Sequence, residues 1–323
     1  MKSEEYTPKL RAASGCLLSL LLVVGMCSLS SCSSDDDEDD SSSSTSENAN
    51  SNAWYGSSYA MRIEMPALST DDDARFIVHT ADISDSSSKE TVNYSLEYDA
   101  SLFHSRWVAF VFNDTTGAKN VSRTNNWAEE PQLDAAERLP TTAYSGSGYN
   151  RGHLCASYDR LCSTEANSQT FYMSNMSPQI GDFNSGYWVT LEGLIQTWGR
   201  SSTFTNLYVC KGGTTDQLLS SFNTKNSAGD QVSVPVPKYY FAAVLAEFTG
   251  NGTTSYQAIG FLVEHKDYGY TYQNQADVSL MKNHAMSIDD LEAATGIDFF
   301  CNLSDKLEAT VEKSYNTSAW TWK

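Results

Sequence analysis

Positive charge is what this sequence most lacks. Its 323 residues carry 21 Lys and Arg against 40 Asp and Glu, a formal net charge of −19. Sequence-independent binding to phosphate backbones runs on Lys and Arg, so this balance excludes a tight, processive nucleic-acid binder. It leaves room for a hydrolytic enzyme, which binds briefly and needs only a local positive cleft. About half of the acidic excess also lies before Ala74, partly in the Asp71-Asp72-Asp73 cluster. A membrane-spanning helix is missing from the leader: the apolar run at residues 16–26 is too short to cross a bilayer. No internal repeat and no second linker interrupt the remainder, which points to one folded domain.

The leader has its own logic. Lys2, Lys9 and Arg11 precede the apolar run, and small residues then lead to Leu29-Ser30-Ser31-Cys32. A charged front, a short apolar middle and a small-residue end mark a cleaved secretory signal. Leu-Ser-Ser-Cys resembles the lipobox of bacterial lipoproteins, in which cleavage leaves Cys32 first and acylated. Residues 1–31 are therefore expected to be a lipoprotein signal peptide and residues 32–52 an acidic, serine-rich tether that cannot bury apolar surface. Residues 53–323 would hold the domain. The run from Asp35 through Asp40 resembles the export signal of surface lipoproteins in some Gram-negative gut bacteria. The expected location is the outer membrane, at the cell surface or the periplasmic face, held through the lipid alone.

Four cysteines remain once Cys16 and Cys27 leave with the signal and Cys32 carries lipid: Cys155, Cys162, Cys210 and Cys301. An even number in an exported domain allows two disulfides. The expected pairs are Cys155 with Cys162 and Cys210 with Cys301. A zinc site on His153, Cys155 and Cys162 fits no common ligand spacing.

Alternation in Val92-Asn93-Tyr94-Ser95-Leu96-Glu97-Tyr98 predicts a strand, and the apolar run Trp107-Val108-Ala109-Phe110-Val111-Phe112 predicts a buried one. Weaker strand signals lie at residues 53–80. Phe171-Tyr172-Met173, Leu207-Tyr208-Val209 and residues 239–245 and 258–263 read as further core strands. Residues 291–294 and 307–311 read as helical, with Ser287 a cap. The fold class is α+β, with a central antiparallel sheet flanked by helices.

The chemistry concentrates in Asn150-Arg151-Gly152-His153-Leu154 and in Phe183-Asn184-Ser185-Gly186-Tyr187-Trp188, followed by Leu191-Glu192. A guanidinium, an imidazole, a neutral amide oxygen and a carboxylate are what a one-metal phosphodiesterase site needs. Trp188, Leu191, Ile195 and Trp198 recur at helical steps and predict a helix packed on the sheet. On an ideal helix Asn184 and Glu192 would be roughly 12 Å apart along the axis and roughly 80° apart around it. Two direct bonds to one ion are then awkward, which places Glu192 behind a bound water unless the first turn is distorted.

These segments resemble the DNA/RNA non-specific endonuclease family, the Serratia-type nucleases with a ββα-metal site. The likeness also takes in residues 123–134, Asn175-Met176-Ser177-Pro178-Gln179 and, more weakly, Gly296-Ile297-Asp298-Phe299-Phe300. It implies a ββα-metal motif and hydrolysis of both DNA and RNA. It makes His153 the general base, Asn184 the single protein ligand of a hydrated Mg²⁺ (Mn²⁺ or another divalent ion being alternatives), Glu192 the carboxylate holding that ion's waters, and Arg151 the cation beside the scissile phosphate. Two departures stand out. Asn150 replaces the family's usual aspartate. Gln196 sits one turn after Glu192, where well-known members carry a second phosphate-binding arginine. Gln196 and Arg123 are then the remaining candidates for contact with substrate. The competing class is a catalytically weak surface lipoprotein that holds nucleic acid or glycan, and the Gln196 departure favours it. The other histidines, His79, His104, His265 and His284, read as structural or surface residues.

Overall fold

The computed structural model describes residues 48–83 and 91–323. The expected signal peptide, Cys32 and most of the tether lie outside the described residues. The strands are β1 (Ala74–Ala81), β2 (Thr91–Asp99), β3 (His104–Phe112), β4 (Asn150–His153), β5 (Met176–Gln179), β6 (Asn206–Gly213), β7 (Leu218–Lys225), β8 (Gln231–Pro237), β9 (Tyr239–Gly250), β10 (Thr253–Glu264) and β11 (Ala285–Met286). The helices are α1 (Thr164–Gln169), α2 (Val189–Gly199), α3 (Ile288–Thr295) and α4 (Asp305–Val311).

One seven-stranded sheet runs β1-β2-β3-β6-β9-β10-β11, antiparallel at every pairing, and β4-β5 and β7-β8 form separate two-stranded ladders. Strand alternation explains why β3 looks continuously apolar. Val108, Phe110 and Phe112 face the cluster that receives Trp188, Leu191, Ile195 and Trp198, while Trp107, Ala109 and Val111 face the one that receives Ile288, Leu291 and Phe299. Both faces of the sheet are covered by helices, so no position on this run of β3 is left for a polar residue. Each of the four α2-face side chains is buried to within 1% of complete. Burial of such a side chain contributes ~1.5–3 kcal/mol, so the helix is held mainly by this stripe.

The expected α+β class, central antiparallel sheet and flanking helices are what the chain forms. Ser287 caps α3, its side chain accepting from Asp290 N. Two local expectations are corrected. Phe171-Tyr172-Met173 is not a strand: Tyr172 makes one isolated bridge to Ala128, and Met173–Asn175 is a 3-10 turn. The cause is Asn175, whose amide donates to Thr170 O (2.7 Å) and Cys155 O (2.8 Å) and occupies carbonyls that a neighbouring strand would need. The expected disulfides are not formed. All four thiols are free and buried, and Cys155, Cys162 and Cys210 belong to three different apolar clusters. Within the described part of the expected tether, Asn50 donates to Asp298 and Glu308, and Asn52 N donates to Asn302 Oδ1.

Candidate active site

Arg151 and His153 share one face of β4 because alternate residues of a strand point the same way. Gly152 points to the other face, where an added Cβ would lie 2.2 Å from Gln179 Oε1, so a larger residue there would have to displace the Gln179 side chain. The ladder pairs Arg151 with Pro178, Gly152 with Ser177 and His153 with Met176. His265 fixes the backbone just after β5: its Nδ1 donates to Pro237 O (2.9 Å) and its Nε2 accepts from Ile180 N (2.7 Å).

The chain then enters a π-helical turn, Phe183–Trp188, before continuing as α2. Gly186 lies against the backbone of Tyr270, 2.4 Å from where a Cβ would sit, and its carbonyl accepts from Ala276 N (3.1 Å). The first turn is thus distorted from ideal-helix geometry, and π turns frequently mark functional sites. With it in place, β4, β5 and this helical segment form the ββα motif. Arg123, Arg151, His153, Asn184, Glu192 and Gln196 all line one cavity of about 1220 Å³. Every residue assigned to the site from the sequence, Cys32 aside, is brought to the same place.

Their local settings differ. The Arg151 guanidinium stacks 3.5 Å from the Trp127 ring centre and donates to Thr141 O (3.2 Å). Arg123 lies over Phe171 and donates to Asn125 Oδ1 (2.7 Å) and Ser157 Oγ (2.8 Å). The His153 ring sits between Trp127 and Phe171, with its Nε2 buried and unpartnered. Burial, then Arg123, Lys211 and Arg151, push its pKa down to about 3. The imidazole is therefore neutral across the physiological range. Among the described residues the Asn184 side chain has no hydrogen-bond partner, which leaves its amide oxygen open to a ligand. A neutral oxygen donor with a carboxylate nearby suits a hard divalent ion that keeps most of its waters.

Beneath the cavity lies a group not anticipated from the sequence. Lys211 on β6 is wholly buried, its Nζ 3.0 Å from Asp159 Oδ2 and 3.8 Å from Glu192 Oε1. Asp159 also accepts from Ala156 N (2.8 Å) and from Gln196 Nε2 (2.9 Å). Gln196 thus borders the cavity but gives its amide donor to Asp159. Burial raises the Glu192 pKa to about 7, with Lys211 pulling it down and Asp159 pushing it up. A signal for Lys211 was present: a lone lysine closing the apolar run Leu207-Tyr208-Val209-Cys210 must have an anion waiting for it.

A model of the DNA/RNA non-specific endonuclease family matches residues 73–306. The chain belongs to that family. A nuclease of Nostoc sp. is 30% identical over 223 residues, covering 68% of this chain and 75% of that one. The mitochondrial Nuclease 1 of Schizosaccharomyces pombe is 33% identical over 166 residues, covering 50% of this chain and 48% of the relative, so the chain spans about half of that protein. Among solved structures, EndoG in an EndoG/EndoGI complex superposes with a TM-score of 0.53 at 23% identity, over 72% of this chain and 89% of that one, a likeness of fold. Family membership makes the chain a metal-dependent endonuclease acting on nucleic acid.

Replacing Lys211 by Met keeps the volume and removes the charge, leaving Asp159 and Glu192 buried without a cation. The expected loss is about 3–5 kcal/mol of unfolding free energy, measured by denaturant titration at neutral pH. The double variant Lys211→Met with Asp159→Asn should recover part of that loss. Additive losses would show that the pair is not coupled.

Proposed function

We propose that this cavity hydrolyses phosphodiester bonds of both DNA and RNA with a divalent ion, Mg²⁺ in the first instance, and with His153 as general base. The observation that carries this reading is a neutral imidazole with a buried, unpartnered nitrogen, in one cavity with two guanidiniums and the open amide of Asn184. Asn184 would hold the ion directly and Glu192 would orient its waters. When bound, such an ion supplies Lewis-acid stabilisation of charge building on the phosphate and the leaving oxygen.

The protein's own residues divide the remaining work. Arg151, held flat on Trp127, meets the phosphate with its fork already oriented, so little side-chain entropy is lost on binding. Arg123 approaches the same cavity and supplies the second cation that Gln196 cannot. A phosphate diester seated between them offsets two of the positive charges that depress the His153 pKa, and so strengthens the base when substrate is present. His153 then accepts the proton of the attacking water. The rival reading, a catalytically weak surface binder of nucleic acid or glycan, draws on Gln196 alone, whose amide is committed to Asp159.

Plasmid DNA and RNA incubated with the chain lacking residues 1–47 should both be cut in Mg²⁺ and spared in chelator. His153→Ala should lower turnover by roughly 10²–10⁴-fold, and Arg123→Ala should lower it less while raising KM. Full cleavage by His153→Ala, or unchanged turnover on loss of Arg123, would overturn the assigned roles.

We also propose that the chain is exported and anchored to the outer membrane through acylated Cys32, as the Leu29-Ser30-Ser31-Cys32 step suggests. Full-length protein should fractionate with membranes and Cys32→Ala should not. A membrane-bound Cys32→Ala protein would remove the lipid anchor from the account.

A further inference from the structure

A second group of carboxylates lies away from the nuclease cavity, where the last two helices meet. Asp289 and Glu292 stand on α3 and Glu312 directly follows α4, and one oxygen from each lies within 4.8 Å of the others. Two Ca²⁺–oxygen bonds of ~2.4 Å span at most ~4.8 Å, so each pair of these oxygens meets the limit for sharing one ion, and a small inward shift of the side chains would let all three bind it. The shorter bonds of Mg²⁺, ~2.1 Å, make the same span harder to reach.

Clustered acids alone would be an ordinary solvated face. Glu312 is not solvated. It is 4% exposed, and its Oε1 is buried with no hydrogen-bond partner. Such an oxygen costs its full desolvation unless something positive or a proton meets it. Among the described residues no ion pair joins Asp289, Glu292 or Glu312 to a Lys or Arg. Neighbouring acids deepen the deficit: Asp298 and Glu308 also bear on Glu312, and both take their donor from Asn50. The backbone already frames the place, with Asp289 N donating to Glu312 O (3.2 Å).

We infer that Asp289, Glu292 and Glu312 form a structural site for a Ca²⁺-like divalent cation, separate from the catalytic one, that clamps the start of α3 to the end of α4. Asp289 is exposed and gives the ion access and room for water ligands, while Glu312 supplies the buried anchor. The ion would oppose the mutual repulsion of the acids and tie the C-terminal helices to the sheet face they cover.

The test is calorimetric titration of the full chain with CaCl₂, alongside thermal melts with and without Ca²⁺. Wild type should bind one Ca²⁺ that Asn184→Ala still binds and that Glu312→Gln and Asp289→Asn lose or weaken at least tenfold. The Tm of wild type should rise with Ca²⁺ and that of Glu312→Gln should not, while DNA cleavage in Mg²⁺ stays unchanged in both acidic-site variants. If Glu312→Gln fails to fold, Asp289→Asn, an exposed change, still decides the point. Calcium binding to Asn184→Ala that survives the further change of Glu312→Gln or Asp289→Asn, or that vanishes with Asn184→Ala alone, overturns the proposal. So does a wild-type Tm that Ca²⁺ leaves unchanged, because Glu312 is then simply protonated.

Discussion

A lysine buried in the middle of a seven-stranded sheet needs an anion at contact distance, and the architecture of the catalytic cavity follows from how Lys211 is satisfied. Its ammonium is fixed by β6 and reaches Asp159, in the turn after β4, and Glu192, on α2. Three elements distant in sequence are thereby tied under one floor. Asp159 passes the constraint on by accepting from Ala156 N and Gln196 Nε2, which sets the loop after His153 and the second turn of α2. Replacing one partner would leave an uncompensated charge in an apolar setting, so the group stands or falls together.

The second constraint is the π turn at Phe183–Trp188. A regular helix would rotate Asn184 away from Glu192, yet both border one cavity. The turn is held from outside, by His265 on Ile180 N and by the 270–276 loop against Gly186. Those contacts form only once β8 and β10 are in place, so the catalytic geometry depends on completion of the sheet. The floor and the turn together explain how an acidic protein handles a polyanion. Its positive charge is local: Arg151 on Trp127 and Arg123 over Phe171 border the cavity, while much of the acidic excess lies elsewhere.

Much of this was legible in the residues. Trp188, Leu191, Ile195 and Trp198 announced the packed helix because a buried face imposes its period on sequence, and the Arg-Gly-His and Asn-Ser-Gly-Tyr-Trp segments named side chains that the fold brings into one cavity. What escaped depends on distance. The π turn carries no local signature, since its stabilising contacts come from residues about ninety positions further along the chain. The cysteine pairs followed from parity, but Cys155, Cys162 and Cys210 lie in separate clusters, and no counting of residues encodes that. Phe171-Tyr172-Met173 looked like a strand because it is largely buried, and buried irregular backbone satisfied by an asparagine side chain has the same apolar pattern.

The proposal on which the rest turns is that Asn184 holds the catalytic ion directly and Glu192 reaches it through water. Anomalous scattering from a crystal soaked in Mn²⁺ measures this without reference to activity. The account predicts a peak at bonding distance from the Asn184 amide oxygen, with Glu192 reaching it only through water. A peak bonded directly to the Glu192 carboxylate, or a cavity with no peak beside Asn184, would contradict it.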